Sequence, residues 1–216
     1  MERQVFASRG DGGRQLAALL SAAGFEDPVV APVLRGGIEV ALPIIDQLHG
    51  TLLPLVLRKV GHPWQPELGL GAIDPDGELV LDEEMQKRFM VTEQAIRAVV
   101  ETERKELARR KALYQLSEDI SIEGKTVIAV DDGLATGLTA KCVAGYLRRR
   151  GAEQIVLAVP VGSDQALAAA GPCFDRVFCI HHSAQFTAVS RWYQTFGQLG
   201  DRRIVDLLAA AQGNRE

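Results

Sequence analysis

The stretch VIAVDDGLATGLT, Val127–Thr139, decides how the rest of the chain is read. Val127–Val130 are four consecutive apolar residues, which suits a buried strand. Two carboxylates, Asp131 and Asp132, stand at its end. Small residues follow (Gly133, Ala135 and Gly137), interleaved with Leu134 and the hydroxyls of Thr136 and Thr139, and a helix is expected from about Thr139. A strand passing through a small-residue turn into a helix is the repeating element of a parallel sheet covered on both faces.

Working outward, the same alternation recurs. Downstream, the pattern predicts helix Thr139–Arg150, strand Gln154–Pro160, helix Asp164–Ala170, strand Arg176–Ile180 and a closing helix Arg203–Ala211. His181–Asp201 between them is aromatic and irregular. Upstream it predicts helix Arg14–Ala23, strand Pro28–Leu34, helix Ile38–Leu48 and strand Leu52–Leu57. The fold class is therefore α/β, three-layered and Rossmann-like, with a central mainly parallel sheet. Ligands of such sheets sit beyond the carboxyl ends of the strands, where the strand order reverses. Three unusual sequences stand just after strands: Arg35-Gly36-Gly37, Arg58-Lys59 and Asp131-Asp132.

Arg58–Gly124 interrupts the alternation. A hairpin is expected from Leu70–Ile73 and Glu78–Leu81 around the turn Asp74-Pro75-Asp76-Gly77. A long charged helix, roughly Thr92–Tyr114, follows. Its apolar positions Ile96, Val99, Val100, Leu107 and Leu113 make only a partial stripe. Arg109, Arg110 and Lys111 on this helix have two readings, charge delivered to a site at the sheet edge or a solvated charged face, and a charge run on a helix favours the solvated face.

The bulk properties set limits. The chain has 216 residues, 47% hydrophobic and 24% charged, and a net charge of −4. That is one domain spanning 1–216, large enough to bury a core without staples. No global charge points to nucleic acid or membrane, so an anion site must be local. The first thirteen residues lack the apolar run of a signal peptide, and the longest apolar runs are strand-sized. Cys142, Cys173 and Cys179 have no metal-site spacing and read as thiols in a reducing cytosol, so the expected location is cytoplasmic.

The chemistry of Val127–Thr139 can be argued residue by residue. The start of a helix presents unpaired N–H groups and a positive dipole end. A turn of small residues lets those N–H groups converge on one anion. Gly137 has no Cβ to hold a phosphate away, and Thr136 and Thr139 add hydroxyl donors. Asp131 and Asp132 would repel that phosphate but can accept hydrogen bonds from a diol, each worth roughly 1.5–3 kcal/mol. The simpler alternative is an acidic pair capping a helix. A phosphate cradle beside a diol clamp fits ribose 5-phosphate. A Walker A loop is excluded because Leu138, not lysine, follows Gly137, and no GxGxxG is present.

On these residues the stretch resembles the thirteen-residue 5-phosphoribosyl-1-pyrophosphate (PRPP) signature of type I phosphoribosyltransferases: four apolar residues, two acids and a small loop ending Thr-Gly-x-Thr. The chain as a whole is similar to a group of predicted phosphoribosyltransferases through Arg35–Gly37, Arg58–Glu67 (Arg-Lys-x-Gly-x-Pro-x-x-Pro-Glu) and Phe186–Tyr193 (Phe-x-Ala-Val…Trp-Tyr). The resemblance implies transfer of a phosphoribosyl group from PRPP to a nitrogenous base, with Mg²⁺ as cofactor and pyrophosphate released. It implies 5-phosphate binding by Gly133, Leu134, Ala135, Thr136, Gly137 and Thr139, and pyrophosphate binding by Arg35, Gly36 and Gly37. Arg58 and Lys59 would assist at the pyrophosphate. Asp131 and Asp132 would hold the diol and reach the metal only through water and substrate. A hood at about 181–203 would receive the base, with Trp192 and Tyr193 either stacking on it or filling a small hood core. The insertion, about 59–124, occupies the place of a mobile covering loop. Partners are small molecules, and such families commonly form homodimers, although the sequence supplies no interface. Hypoxanthine-guanine members place an Asp where this chain has Ala135, which weakens a guanine-type assignment. Two other readings stay open: a non-catalytic PRPP- or nucleotide-binding regulator on the same fold, and a hydrolase acting at the same site.

Overall fold

The computed structural model describes residues 4–116 and 120–213. Positions 117–119 of the expected insertion lie outside the described residues. A six-stranded parallel sheet forms the centre, in the order β2-β1-β7-β8-β9, with β3 also paired to β1. Its members are β1 (Val29–Leu34), β2 (Thr51–Leu52), β3 (Leu55–Val56), β7 (Thr126–Val130), β8 (Gln154–Ser163) and β9 (Arg176–Ser183). The strand order reverses between β1 and β7, where Val29 pairs with Val127 and Pro32 with Val130.

Strand periodicity builds the two faces. Val30, Leu34, Ile128, Val130, Val156 and Ala158 face α1 (Arg9–Ala22), α2 (Gly37–Leu48) and α7 (Asp201–Gly213). Val29, Ala31, Val127, Ala129, Ile155 and Leu157 face α5 (Leu138–Arg149) and α6 (Asp164–Ala170). The three-layer α/β architecture expected from the alternation is therefore present. Among the described residues no helix is long and apolar enough to cross a membrane.

Three differences from the sequence reading have physical causes. Helix α1 begins at Arg9, not Arg14, because Ser8 caps it by accepting from the Asp11 N–H. Its glycines serve close packing: a Cβ on Gly13 would lie 2.3 Å from the Val40 carbonyl oxygen of α2. The expected second strand is split into β2 and β3 around Leu53-Pro54. The insertion contains a three-stranded antiparallel sheet rather than a hairpin alone. Its strands are β4 (Arg58–His62), β5 (Gln65–Ile73) and β6 (Leu79–Leu81).

A short helix, α3 (Glu83–Arg88), and the long α4 (Glu93–Leu113) complete the insertion. Ile96, Val100 and Leu107 of the partial stripe are buried, while Leu113 is exposed. The turn Asp74–Gly77 closes β5 onto β6 as the sequence predicts. Asp74 is fully buried and its Oδ1 accepts from the N–H groups of Asp76 and Glu78, both at 2.9 Å. Its Oδ2 meets the Arg149 guanidinium of α5, which docks the turn onto the main body.

Candidate active site

A cavity of about 490 Å³ opens at the carboxyl ends of β1 and β7, at the reversal of strand order. Its lining brings together Asp131–Gly137 and Thr139 with Arg35, Arg58 and Lys59, so all three unusual strand-end sequences meet in one place. Gly36 and Gly37 lie behind this wall and pack close to the acids. A Cβ on Gly36 would lie 2.0 Å from Asp132 Oδ2, and one on Gly37 would lie 2.5 Å from the Val130 carbonyl oxygen. A side chain on Gly37 would therefore push against the end of β7, and one on Gly36 would have to displace the Asp132 carboxylate.

The loop after β7 is held from below. The Leu134 N–H donates to Val161 and the Ser163 N–H to Leu134, which stitches the loop to β8. Ser163 Oγ donates to the Ala135 carbonyl at 2.9 Å and accepts from the Ala166 N–H at 3.0 Å, so one hydroxyl fixes both the loop and the start of α6. Gly137 takes φ +80° as the residue before α5, in the left-handed region that disfavours a side chain. Ala135 and Thr136 are exposed at the cavity, and Thr139 stands in the first turn of α5. Small exposed residues ahead of a helix start leave the backbone N–H groups accessible to an anion.

The two carboxylates have different surroundings. Asp132 Oδ2 accepts from Arg9 Nε at 2.7 Å. The Asp132 carbonyl accepts from the Tyr193 hydroxyl at 2.6 Å. Arg9 is itself buried, donates to the Gly197 carbonyl at 2.9 Å, lies 3.6 Å from Glu39 of α2, and stacks its guanidinium 3.8 Å over the Phe196 ring. Asp132 is thus tied into the start of α1 and the segment after β9. Asp131 has no such partner among the described residues; its Oδ1 accepts only from the next residue's N–H, at 2.8 Å. Burial, and then the Asp132 charge, raise the Asp131 carboxyl well above its ordinary range, against the opposing pull of Lys59 and Arg9. Arg9 is not legible as a site residue in the sequence, because it lies in a glycine-rich segment 123 positions from Asp132.

The cations also differ. Arg58 is half-buried and its Nε donates to Glu103 of α4 at 2.6 Å, whereas Lys59 is exposed at the cavity. Arg110 of α4 also lines the cavity, with Nε 2.7 Å from Glu106. The sequence reading of Arg109–Lys111 as a solvated face is thus corrected at Arg110: the turn of α4 that buries Leu107 carries Arg110 over the opening. Arg109 points away, to Glu106 and to Asp201 of α7.

The segment after β9 packs as a small core. Tyr193 is 1% and Trp192 7% exposed, grouped with Phe6 and Val161. Neither lines the cavity; of this segment only Val189 does. Of the two roles considered for Trp192 and Tyr193, the geometry is that of the hood core. Phe6, far upstream in sequence, completes that core through a bridge to Tyr193. His181 lies between the rings of Phe6 and Trp192, and His182 pairs with Asp164 at 2.6 Å.

The chain matches the family described as phosphoribosyl transferase domain over residues 7–194. Two Mycobacterium tuberculosis proteins, named "Putative phosphoribosyl transferase" in strains CDC 1551 and H37Rv, are each 39% identical to it over 209 residues. That alignment covers 96% of this chain and 47% of each relative, so the chain spans about half the length of the curated relatives it matches. Among solved structures, TT1426 from Thermus thermophilus superposes with a TM-score of 0.80 at 31% identity, covering 95% of this chain and 98% of that one. A Neisseria gonorrhoeae protein solved with bound ppGpp shares the fold alone, with a TM-score of 0.54 at 14% identity over 97% of this chain and 98% of its own. On the domain match and these relatives, the chain belongs to the phosphoribosyl transferase domain family.

Proposed function

We propose that this domain binds PRPP with Mg²⁺ and transfers the 5-phosphoribosyl group to a nitrogen of a base, releasing pyrophosphate. The observation that carries this reading is the cavity in which a small-residue loop before α5, an acid pair and several cations face one another. The loop suits the 5-phosphate, the acids suit the ribose diol, and the cations suit the pyrophosphate. Together these ligand classes match the three parts of PRPP.

The reaction is displacement at the anomeric carbon: its bond to the pyrophosphate oxygen breaks and a bond to the acceptor nitrogen forms on the opposite face. An oxocarbenium-like transition state asks little covalent chemistry of the protein. Asp131 and Asp132 would orient the diol, and the loop would anchor the far end of the sugar. Arg35 and Lys59 would stabilise charge growing on the leaving group. Among the described residues no group of three or more His, Cys, Asp or Glu side chains could cage a metal ion. Mg²⁺ would then be held mostly by substrate oxygens and water, which is its usual habit with phosphates, and would supply charge neutralisation there. With Ala135 facing the cavity, no carboxylate is available at that point to take the acceptor's proton, so that proton would pass to solvent.

The test is PRPP consumption and pyrophosphate release with Mg²⁺ across a panel of purine, pyrimidine and related bases. Turnover on at least one base is expected. Stabilisation by PRPP without turnover on any base would instead favour the regulator, and neither stabilisation nor turnover would end the PRPP reading.

A further inference from the structure

Four cations line the cavity, Arg35, Arg58, Lys59 and Arg110, and their partners separate them. Arg58 presents both Nε and Nη2 to the same Glu103 oxygen, each at 2.6 Å. Arg110 uses only Nε, donating to Glu106 Oε1 at 2.7 Å. Among the described residues its two terminal amino groups have no hydrogen-bond partner. Its side chain is 14% exposed, and neither amino group is among the buried polar atoms without a partner, so both donors stay open to a ligand in the cavity. An unpartnered guanidinium edge with two N–H donors at the lining of a cavity matches two oxygens of one phosphate.

Glu106 does not swing freely either. Arg109 grips it through two contacts, at 2.7 and 2.9 Å, and also reaches Asp201 of α7 at 2.9 Å. The carboxylate under Arg110 is therefore anchored to a second helix. Resting on the PRPP reading above, we propose that Arg110 supplies the guanidinium fork for the pyrophosphate group. Glu106 is its positioning residue, and Arg58 is held back by Glu103. The inserted helix α4 then belongs to the substrate site and gives it a cation that no strand end provides.

The test is titration calorimetry on the whole chain with pyrophosphate and, separately, ribose 5-phosphate, both in Mg²⁺. Arg110→Ala is expected to weaken pyrophosphate about tenfold or more while leaving ribose 5-phosphate unchanged, the loss fitting one charge-assisted bond. Arg110→Lys should recover only part of this, because an ammonium lacks the fork. Glu106→Gln should weaken pyrophosphate alone, Arg58→Ala should weaken it less than Arg110→Ala, and Arg109→Ala, which loosens Glu106, should weaken it less than Glu106→Gln. If Arg110→Ala fails to fold, Arg110→Lys and Arg110→Gln carry the comparison. Pyrophosphate affinity within about twofold of wild type in the Arg110 variants overturns the proposal, as does a larger loss from Arg58→Ala. So does a wild type that binds ribose 5-phosphate but not pyrophosphate. Loss of pyrophosphate on substitution of Arg110, with no ribose 5-phosphate binding by any form, supports the Arg110 assignment and removes the phosphoribosyl reading instead.

Discussion

The two walls of the cavity are assembled differently. On the sheet side, Asp131–Thr139 supplies acids, small residues and hydroxyls from one run of nine positions, fixed by backbone bonds to β8 and by Ser163. On the inserted side, Arg58 and Arg110 come from positions far apart in sequence and are aimed by two carboxylates of α4, Glu103 and Glu106. The first wall uses main-chain geometry, which tolerates little change in position. The second uses long side chains on charged tethers, which an evolving insertion can add or move without disturbing the sheet. On the PRPP proposal, the ribose phosphate end would be recognised by the shape of the loop and the pyrophosphate end by charge placement.

The sheet side should therefore fail first and hardest, and its two acids should fail differently. Asp132→Asn removes the charge facing the buried Arg9 guanidinium. Breaking such a pair costs roughly 3–5 kcal/mol, and Glu39 at 3.6 Å and the Gly197 carbonyl should hold the loss near the lower end of that range. For a chain of this length that is a fall in Tm of about 6–12 °C. Asp131→Asn removes a carboxyl that is disfavoured as a charge where it sits, so Tm should stay within about 2 °C of wild type or rise. Both variants should lose PRPP binding. Equal Tm losses would mean that the acids are interchangeable and that the Arg9 contact does not anchor the loop. Unchanged PRPP affinity in the double variant would remove the diol clamp.

The next prediction concerns the join between the walls. Asp74 is the buried acceptor of two turn N–H groups and meets Arg149 of α5. Asp74→Ala strands both turn N–H groups and removes the tie to the exposed Arg149 and should cost about 2–4 kcal/mol, while Asp74→Asn keeps an acceptor for the turn and should cost about 1 kcal/mol. Thermal unfolding should remain a single transition in both. A separate early transition in Asp74→Ala would show that the insertion melts as its own unit, and the second wall would then be a mobile cover rather than a fixed one.

The same contrast explains what the sequence can and cannot reveal. Helix α6 begins and ends where its pattern places it, because Ser163 caps it locally. The Val127–Thr139 loop is readable because strand, acids, glycines and hydroxyls are contiguous. Strand β4 is not, because Arg58–His62 is interrupted by two register irregularities against β5 and shows no clean alternation. Arg9 and Phe6 escape a sequence reading because what they contact is brought to them only by the closed fold. Arg110 reads as solvated because a charge run on a helix carries no local sign of which member faces a cavity. Local motifs are visible in one chain; positions fixed by a tether to a distant partner are not.

The smallest effect tests whether those tethers are electrostatic. Hydrogen bonds from Arg109, and then from Arg110, lower the Glu106 carboxyl from an ordinary 4.5 to about 2. Asp201 is lowered in the same way, by the Tyr114 hydroxyl first and then by Arg109. A carboxyl lowered by folding contributes stability that is fully present above its unfolded value and is lost as pH falls through its folded value. Glu106 should therefore lend the α4 wall stability above about pH 4.5 that declines toward pH 2. The cluster is largely solvated, so the contribution is small and screened by salt. Glu106→Gln should flatten that part of the stability curve at low ionic strength and leave the curve above about pH 5 parallel to wild type. An unchanged slope would mean that Arg110 is set by packing beside Leu107 rather than by charge, and the distinction between the two walls would narrow to one of sequence distance.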